Sequence, residues 1–183
     1  MKVIFLDHDG VMCLSSQWGG RHKKTREWVA KNGEENVKDI PATVRLDNFD
    51  SKAVKVLNEI LTNTAAEIVV SSDWKLHATL NELKDLYWDY GIIKTPLDCT
   101  PNLRDFDPDA AALFAWKGWL ERARVTEIRQ WLKSHPEVTH WVAVDDLNMG
   151  REGLENFVLT ARSSEGIKQS GIREKIEKFL EDA

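Results

Sequence analysis

Apolar runs that suit buried strands occur at Lys2–Asp7, Glu67–Ser71, His140–Asp145 and Phe157–Thr160, with a weaker one at Gly91–Lys94. Between them, apolar residues recur at helical spacing. Ser51–Thr62 carries Val54, Leu57, Ile60 and Leu61 on one stripe, with Asp50 or Ser51 as the cap. Lys75–Tyr90 carries Leu76, Leu80, Leu83 and Tyr87, and Val125–Ser134 carries Ile128, Trp131 and Leu132. Gly171–Glu181 carries Ile172, Ile176, Phe179 and Leu180. Near-continuous apolar strands alternating with helices predict an α/β fold, a Rossmann-like doubly wound parallel sheet of about five strands. Right-handed crossovers then bring every carboxyl end to one edge, where such sheets bind their ligands. Asp7, Ser71 and Asp145 each close a strand, so residues far apart in sequence are expected to share that edge.

The simple alternation breaks twice. Residues 12–48 hold no long periodic helix, only a short candidate at Lys24–Lys31, and are rich in polar and basic residues including Arg21-His22-Lys23-Lys24. Residues 95–121 hold a possible helix after Asp107-Pro108, with Phe114, Trp116 and Trp119. The expectation is a single domain over residues 1–183 with a flap-like or cap-like insertion at 12–48 and a second insertion at 95–121.

Composition narrows this further. The chain is 42% hydrophobic and 30% charged, in the range of an ordinary globular protein. A net charge of −5 argues against a broad nucleic-acid-binding face but leaves room for a small basic groove. Two cysteines make no disulfide framework. With no signal-like segment and no apolar run long enough for a bilayer, the expected setting is cytoplasmic, with no membrane and no obligate protein partner.

The chemistry begins at Asp7-x-Asp9-Gly10-Val11, where a buried strand runs into two carboxylates one residue apart. Acids that close are costly unless their charge is offset, and a divalent cation is the usual counterweight. His8, between them, is turned to the other side by strand alternation. No histidine pair has metal-ligand spacing, and Gly150 and Gly153 form no dinucleotide fingerprint.

Asp7-x-Asp9-Gly10-Val11, the strand ending in Ser71, and the pair Asp145-Asp146 resemble the haloacid dehalogenase-like (HAD) superfamily of phosphohydrolases. Val69-Val70-Ser71-Ser72-Asp73-Trp74-Lys75 and Arg124-x-x-Glu127-Ile128-x-x-Trp131-Leu132 are similar to segments of small stand-alone phosphatase domains related to polynucleotide end-repair proteins. The likeness spans roughly Met1 to Leu180 and is poor over 12–48 and 95–121.

It implies a Mg²⁺-dependent phosphomonoesterase with Asp7 as nucleophile, forming an aspartyl-phosphate, and Asp9 as general acid–base. Asp7, the Asp9 backbone carbonyl and Asp145-Asp146 would bind the metal, without settling which of the last two touches it. Ser71, or less readily Ser72, would hold a phosphoryl oxygen. Arg124, with Lys75 as second candidate, would supply the cation beside the transferred group. Arg21, Gly10 and Ser72 complete the expected substrate-binding set. The implied partner is a phosphorylated substrate, either a nucleic-acid 3′ end or a small metabolite or nucleotide. A non-catalytic phosphate-binding or scaffold protein on the same fold is the alternative of another class. A receiver-type signalling domain is disfavoured, because its acidic pair precedes its phospho-acceptor strand and here the order is reversed.

Overall fold

In the computed structural model, which describes residues 1–107 and 118–181, five strands form one parallel sheet. They are β1 (Lys2–Leu6), β2 (Glu67–Val70), β3 (Asp98–Cys99), β4 (His140–Asp145) and β5 (Phe157–Leu159), in the spatial order β3-β2-β1-β4-β5. The central strand β1 shows why the sheet is buried on both sides. Ile4 and Leu6 enter one core with Ile68, Val70, Val142 and Val144, whereas Val3 and Phe5 enter a second core with Val69 and Ala143. Period-two alternation sends each set to its own face, and both sets are apolar.

Seven α-helices are described: α1 (Gly20–Asn32), α2 (Ala42–Arg45), α3 (Ser51–Thr64), α4 (Leu80–Asp89), α5 (Leu103–Phe106), α6 (Trp119–Lys133) and α7 (Ile172–Leu180). The first core is closed by Val54, Leu57, Ile60 and Leu61 of α3, Leu83, Leu86 and Tyr87 of α4, and Ile172, Ile176 and Leu180 of α7. The second is closed by Val125, Ile128 and Trp131 of α6. Trp131 and Trp141 both meet Phe5 edge-on, with ring centroids 5.4 and 5.7 Å away. Asp50 caps α3, accepting from the backbone N–H groups of Lys52 and Ala53 at 3.0 Å each.

Four expectations are corrected. The edge strand is Asp98–Cys99, and Gly91–Lys94 is a turn that begins at Gly91 with φ +74°. The helix expected over Lys75–Tyr90 is split. A 3₁₀ turn covers Asp73–Leu76, and α4 starts only after Thr79, whose side chain and that of Glu82 cap each other's backbone. The short helix at Lys24–Lys31 is the interior of the longer α1, and α6 begins at Trp119 rather than Val125. Between β1 and α3, residues 12–48 also hold 3₁₀ turns at Ser15–Gln17 and Glu34–Asp39. The helix expected after Asp107-Pro108, with Phe114 and Trp116, lies outside the described residues. No described helix is long and apolar enough to cross a membrane.

His8 turns away from the acids into an aromatic nest of Phe49, Trp74 and Tyr87, with Nε2 2.8 Å from the Tyr87 hydroxyl. Burial, aided by Arg124, lowers its pKa from 6.5 to about 3. The unfolded chain takes up this proton near pH 6.5 and the folded chain does not. The stability His8 supplies is therefore complete above pH 6.5 and is lost as pH falls toward about 3. Between pH 7 and 5 that loss is about 2 kcal/mol. A His8→Gln variant, less stable at pH 7, should show a correspondingly shallower acid dependence in urea titrations. Parallel pH profiles for the two proteins would exclude this origin.

Candidate active site

Three strand ends set the floor of the site. The Asp7 N–H donates to the Val144 carbonyl at 3.0 Å, and the Ser71 N–H donates to the Leu6 carbonyl at 2.9 Å. These bonds carry the ladder one residue past β1 and β2, so Asp7 sits between Ser71 and Asp145 on the carboxyl edge. Asp7, Ser71, Ser72 and Asp145 are all buried there.

Arg124 comes to this floor from α6. It contacts Asp7 Oδ1 and Asp73 Oδ1 at 3.2 Å each and lies 3.8 Å from Asp145 Oδ2. Burial works against its charge, but Asp145, Asp7 and Asp73 outweigh that and its pKa is raised. Burial and the facing Asp145 hold the Asp7 carboxyl well above the usual range, against the pull of Arg124 and of a hydrogen bond from Ser72. Burial likewise raises Asp145 to about 6, although Arg124 and the Leu147 N–H favour its charged form. One guanidinium does not balance the carboxylates gathered here.

Oxygens of Asp7, Asp145 and Asp146 lie within 4.8 Å of one another. Two buried polar atoms beside them, Asp145 Oδ2 and Ser71 Oγ, have no hydrogen-bond partner among the described residues. An all-oxygen donor set with excess negative charge fits a hard divalent cation such as Mg²⁺. Gly10 gives Asp146 its room: with φ +73°, a Cβ there would meet Asp146 Oδ2 at 2.3 Å. The Gly10 N–H itself is engaged, donating to the Cys13 carbonyl at 2.8 Å.

Asp9 stands half-buried at the mouth. Trp74 Nε1 donates to its Oδ2 at 2.9 Å. Burial raises the Asp9 pKa, opposed by bonds from Trp74 and the Cys13 thiol. Beyond Asp9 lie two cavities of about 400 Å³ each, both lined by Asp9 and Arg21. One adds Arg45, Asp73, Trp74 and His77, and the other adds Trp18, Gly19, His22 and Asp47. Residues 12–48 therefore form one wall of the mouth, and Arg21 stands in both cavities.

Several organising residues carry no role in the reading of the sequence. Asp47, buried, accepts from the N–H groups of Gly19 and Arg21 at 3.1 and 2.7 Å and lies 3.6 Å from the Arg21 guanidinium. Asp73 shares Arg124. Glu127 takes Lys75 in a buried ion pair at 2.5 Å and accepts the Leu103 N–H at 2.8 Å. Lys75 also donates to Thr100 Oγ1 at 2.9 Å, and burial lowers its pKa against the pull of Glu127. The structure thus joins Arg124, not Lys75, to Asp7 and Asp145. Lys75, Arg124 and Glu127 together line a further cavity of about 290 Å³. Asp73 and Glu127 do stand inside the two recognisable segments, one after Ser71-Ser72 and one three residues after Arg124. Asp47 has no such signal.

A family model described as the HAD domain in Swiss Army Knife RNA repair proteins matches residues 3–171. Searches of the curated proteins and of the solved structures give no significant match.

Proposed function

Because the chain belongs to the family of HAD domains found in Swiss Army Knife RNA repair proteins, we propose that it is a metal-dependent phosphomonoesterase working through an aspartyl-phosphate. The observation that carries this reading is the buried meeting of Asp7 with Arg124, Asp145 and Asp146 beside an unpartnered Ser71 hydroxyl. It is a nucleophile set among groups suited to a phosphoryl dianion, with little else for them to do.

Asp7, Asp145, Asp146 and the Asp9 backbone carbonyl would hold Mg²⁺, which would supply positive charge between the nucleophile and the phosphoryl oxygens. An Asp7 carboxylate oxygen attacks phosphorus. The P–O bond to the alcohol breaks, and the departing oxygen takes the Asp9 proton and leaves as the alcohol. Asp9, now a carboxylate, removes a proton from water. The water oxygen attacks phosphorus, the bond to Asp7 breaks, and inorganic phosphate leaves with Asp7 and Asp9 restored. Ser71 donates to a phosphoryl oxygen, and Arg124 stabilises the charge that builds on the equatorial oxygens. Lys75, tied to Glu127, supports the site at one remove. Ser72 steadies Asp7, and Gly10 clears space for Asp146.

The first substrate reading is a 3′-phosphorylated nucleic-acid end, supported by the RNA-repair setting of the family, with Arg21 meeting phosphate at the mouth. A small phosphomonoester is the second reading. It is favoured by the internal pairing of Lys24 and Arg45 in 12–48. Lys24 is bound to the Thr43 and Leu46 carbonyls, and Arg45 to Glu82. The first test is p-nitrophenyl phosphate with Mg²⁺. Turnover is expected, with loss of at least 100-fold in excess EDTA and recovery on adding Mg²⁺. A protein inert with every divalent cation would refute the reading. Comparing 3′- and 5′-phosphorylated oligonucleotides, mononucleotides and sugar phosphates by kcat/KM then decides the substrate class.

A further inference from the structure

We infer that Trp74 is a positioning residue for the general acid, fixing the Asp9 carboxyl so that one chosen oxygen faces the leaving group. The assignment rests on the phosphatase reading above. Trp74 is only 2% exposed, yet its one polar atom reaches a half-buried carboxylate at the mouth. A buried indole seeks a partner for its N–H, and it donates without accepting. Asp9 Oδ2 is therefore engaged as an acceptor at 2.9 Å, and the transferable proton is assigned to Oδ1.

The indole is itself immobilised. It stacks on Phe49, centroid to centroid 5.3 Å with the planes 7° apart, and meets His8 edge-on at 4.6 Å. The Trp74 backbone carbonyl accepts from the N–H groups of His77 and Ala78 at 2.9 and 3.0 Å, which locks the 3₁₀ turn beneath the ring. His8 is held in turn by Tyr87. A chain of buried groups thus runs from the first core, through one N–H, to the acid. Without it, Asp9 would keep the Cys13 thiol as a hydrogen-bond donor, with Arg21 and Asp47 acting on it through charge. A proton donor needs placement within a few tenths of an ångström to act in the transition state, and a rigid aromatic anchor supplies it.

The prediction concerns which substrates suffer. A misplaced acid matters where the leaving oxygen needs its proton and hardly at all where the departing anion is stable. In a Trp74→Phe protein, kcat/KM for alkyl phosphates such as glycerol phosphate should fall about 30-fold, while that for p-nitrophenyl phosphate stays within about threefold. An Asp9→Asn background should erase the difference between Trp74 and its replacement. Should Trp74→Phe fold poorly by thermal melting, β-(3-benzothienyl)alanine at position 74 keeps the ring shape and removes only the N–H, with the same expectation. An equal loss on every leaving group, or no loss on any, overturns the assignment while leaving the phosphatase reading intact. Absence of turnover by the parent protein on all these phosphates overturns both.

Discussion

Asp7→Asn is expected to lower kcat/KM by about 10⁴-fold or more on every phosphomonoester the protein accepts. The amide nearly matches the carboxylate in size but has no oxygen nucleophilic enough to open the ester. The same change should leave the fold intact or steadier. Asp7 is buried opposite Asp145 and its pKa is raised in the folded protein. Ionising it therefore costs stability once pH rises above the unfolded value near 3.8. At neutral pH without metal, the variant should melt at or above the parent's temperature, and Mg²⁺ should narrow the gap by stabilising the parent more. Residual activity within tenfold of the parent would remove Asp7 as nucleophile.

Arg124→Met should injure both properties at once. The side chain's length is kept, but Asp7, Asp145 and Asp73 lose their shared cation. Removing one partner of a buried charge network costs about 3–5 kcal/mol, because the remaining charges stay desolvated. The sign of its pH dependence follows. Without Arg124 the folded-state pKa values of Asp7 and Asp145 rise further, so the extra deficit is smallest in acid and grows as pH climbs through the parent's own folded values, about 6 for Asp145. Denaturant titrations at pH 5 and pH 8 measure this directly. Added Mg²⁺ should recover part of the stability, and kcat/KM should still fall by about 10²–10³-fold. Lys75→Met separates the two cations. It strands Glu127 and should destabilise comparably, yet in molecules still folded it should cost activity far less. The reverse ranking would make Lys75 the cation that serves the phosphoryl group.

Much of this arrangement was legible because strands buried on both faces leave a strong apolar signature. β1, β2 and β4 end where their apolar runs meet Asp7, Ser71 and Asp145. Parallel connection does the rest, so the sequence reading reached the floor of the site. It failed where structure is made by few residues or by distant ones. The edge strand pairs through Asp98 and Cys99 alone, too short for any period, and the apolar Ile92-Ile93 imitated it from a turn. The start of α4 was readable in Thr79-x-x-Glu82, a reciprocal cap that outweighs the apolar Leu76 before it. α1 has no buried residue, so no stripe announced its length. Trp74 stands in the recognisable segment after Ser71-Ser72, but nothing in that segment shows what its N–H meets. Its bond to Asp9 depends on a rotamer set by Phe49 and His8, which only the folded chain brings together.

The fastening of residues 12–48 carries a consequence of its own. Asp47 grips the start of α1 from the far end of this segment, and Lys24 binds Asn48 at 2.8 Å as well as two carbonyls of that end. The segment is thus a ring closed at its base. Closing a loop costs entropy that grows only with the logarithm of its length, about 0.6 kcal/mol per doubling. Lengthening or replacing the exposed stretch around Gly33–Asp39 should therefore disturb neither the clasp nor the acids behind it. The molecule separates two kinds of change, one that alters what reaches Asp7 and Asp9 and one that would alter the setting of those acids themselves. A lineage could try new substrates at the rim while the chemistry below remained intact.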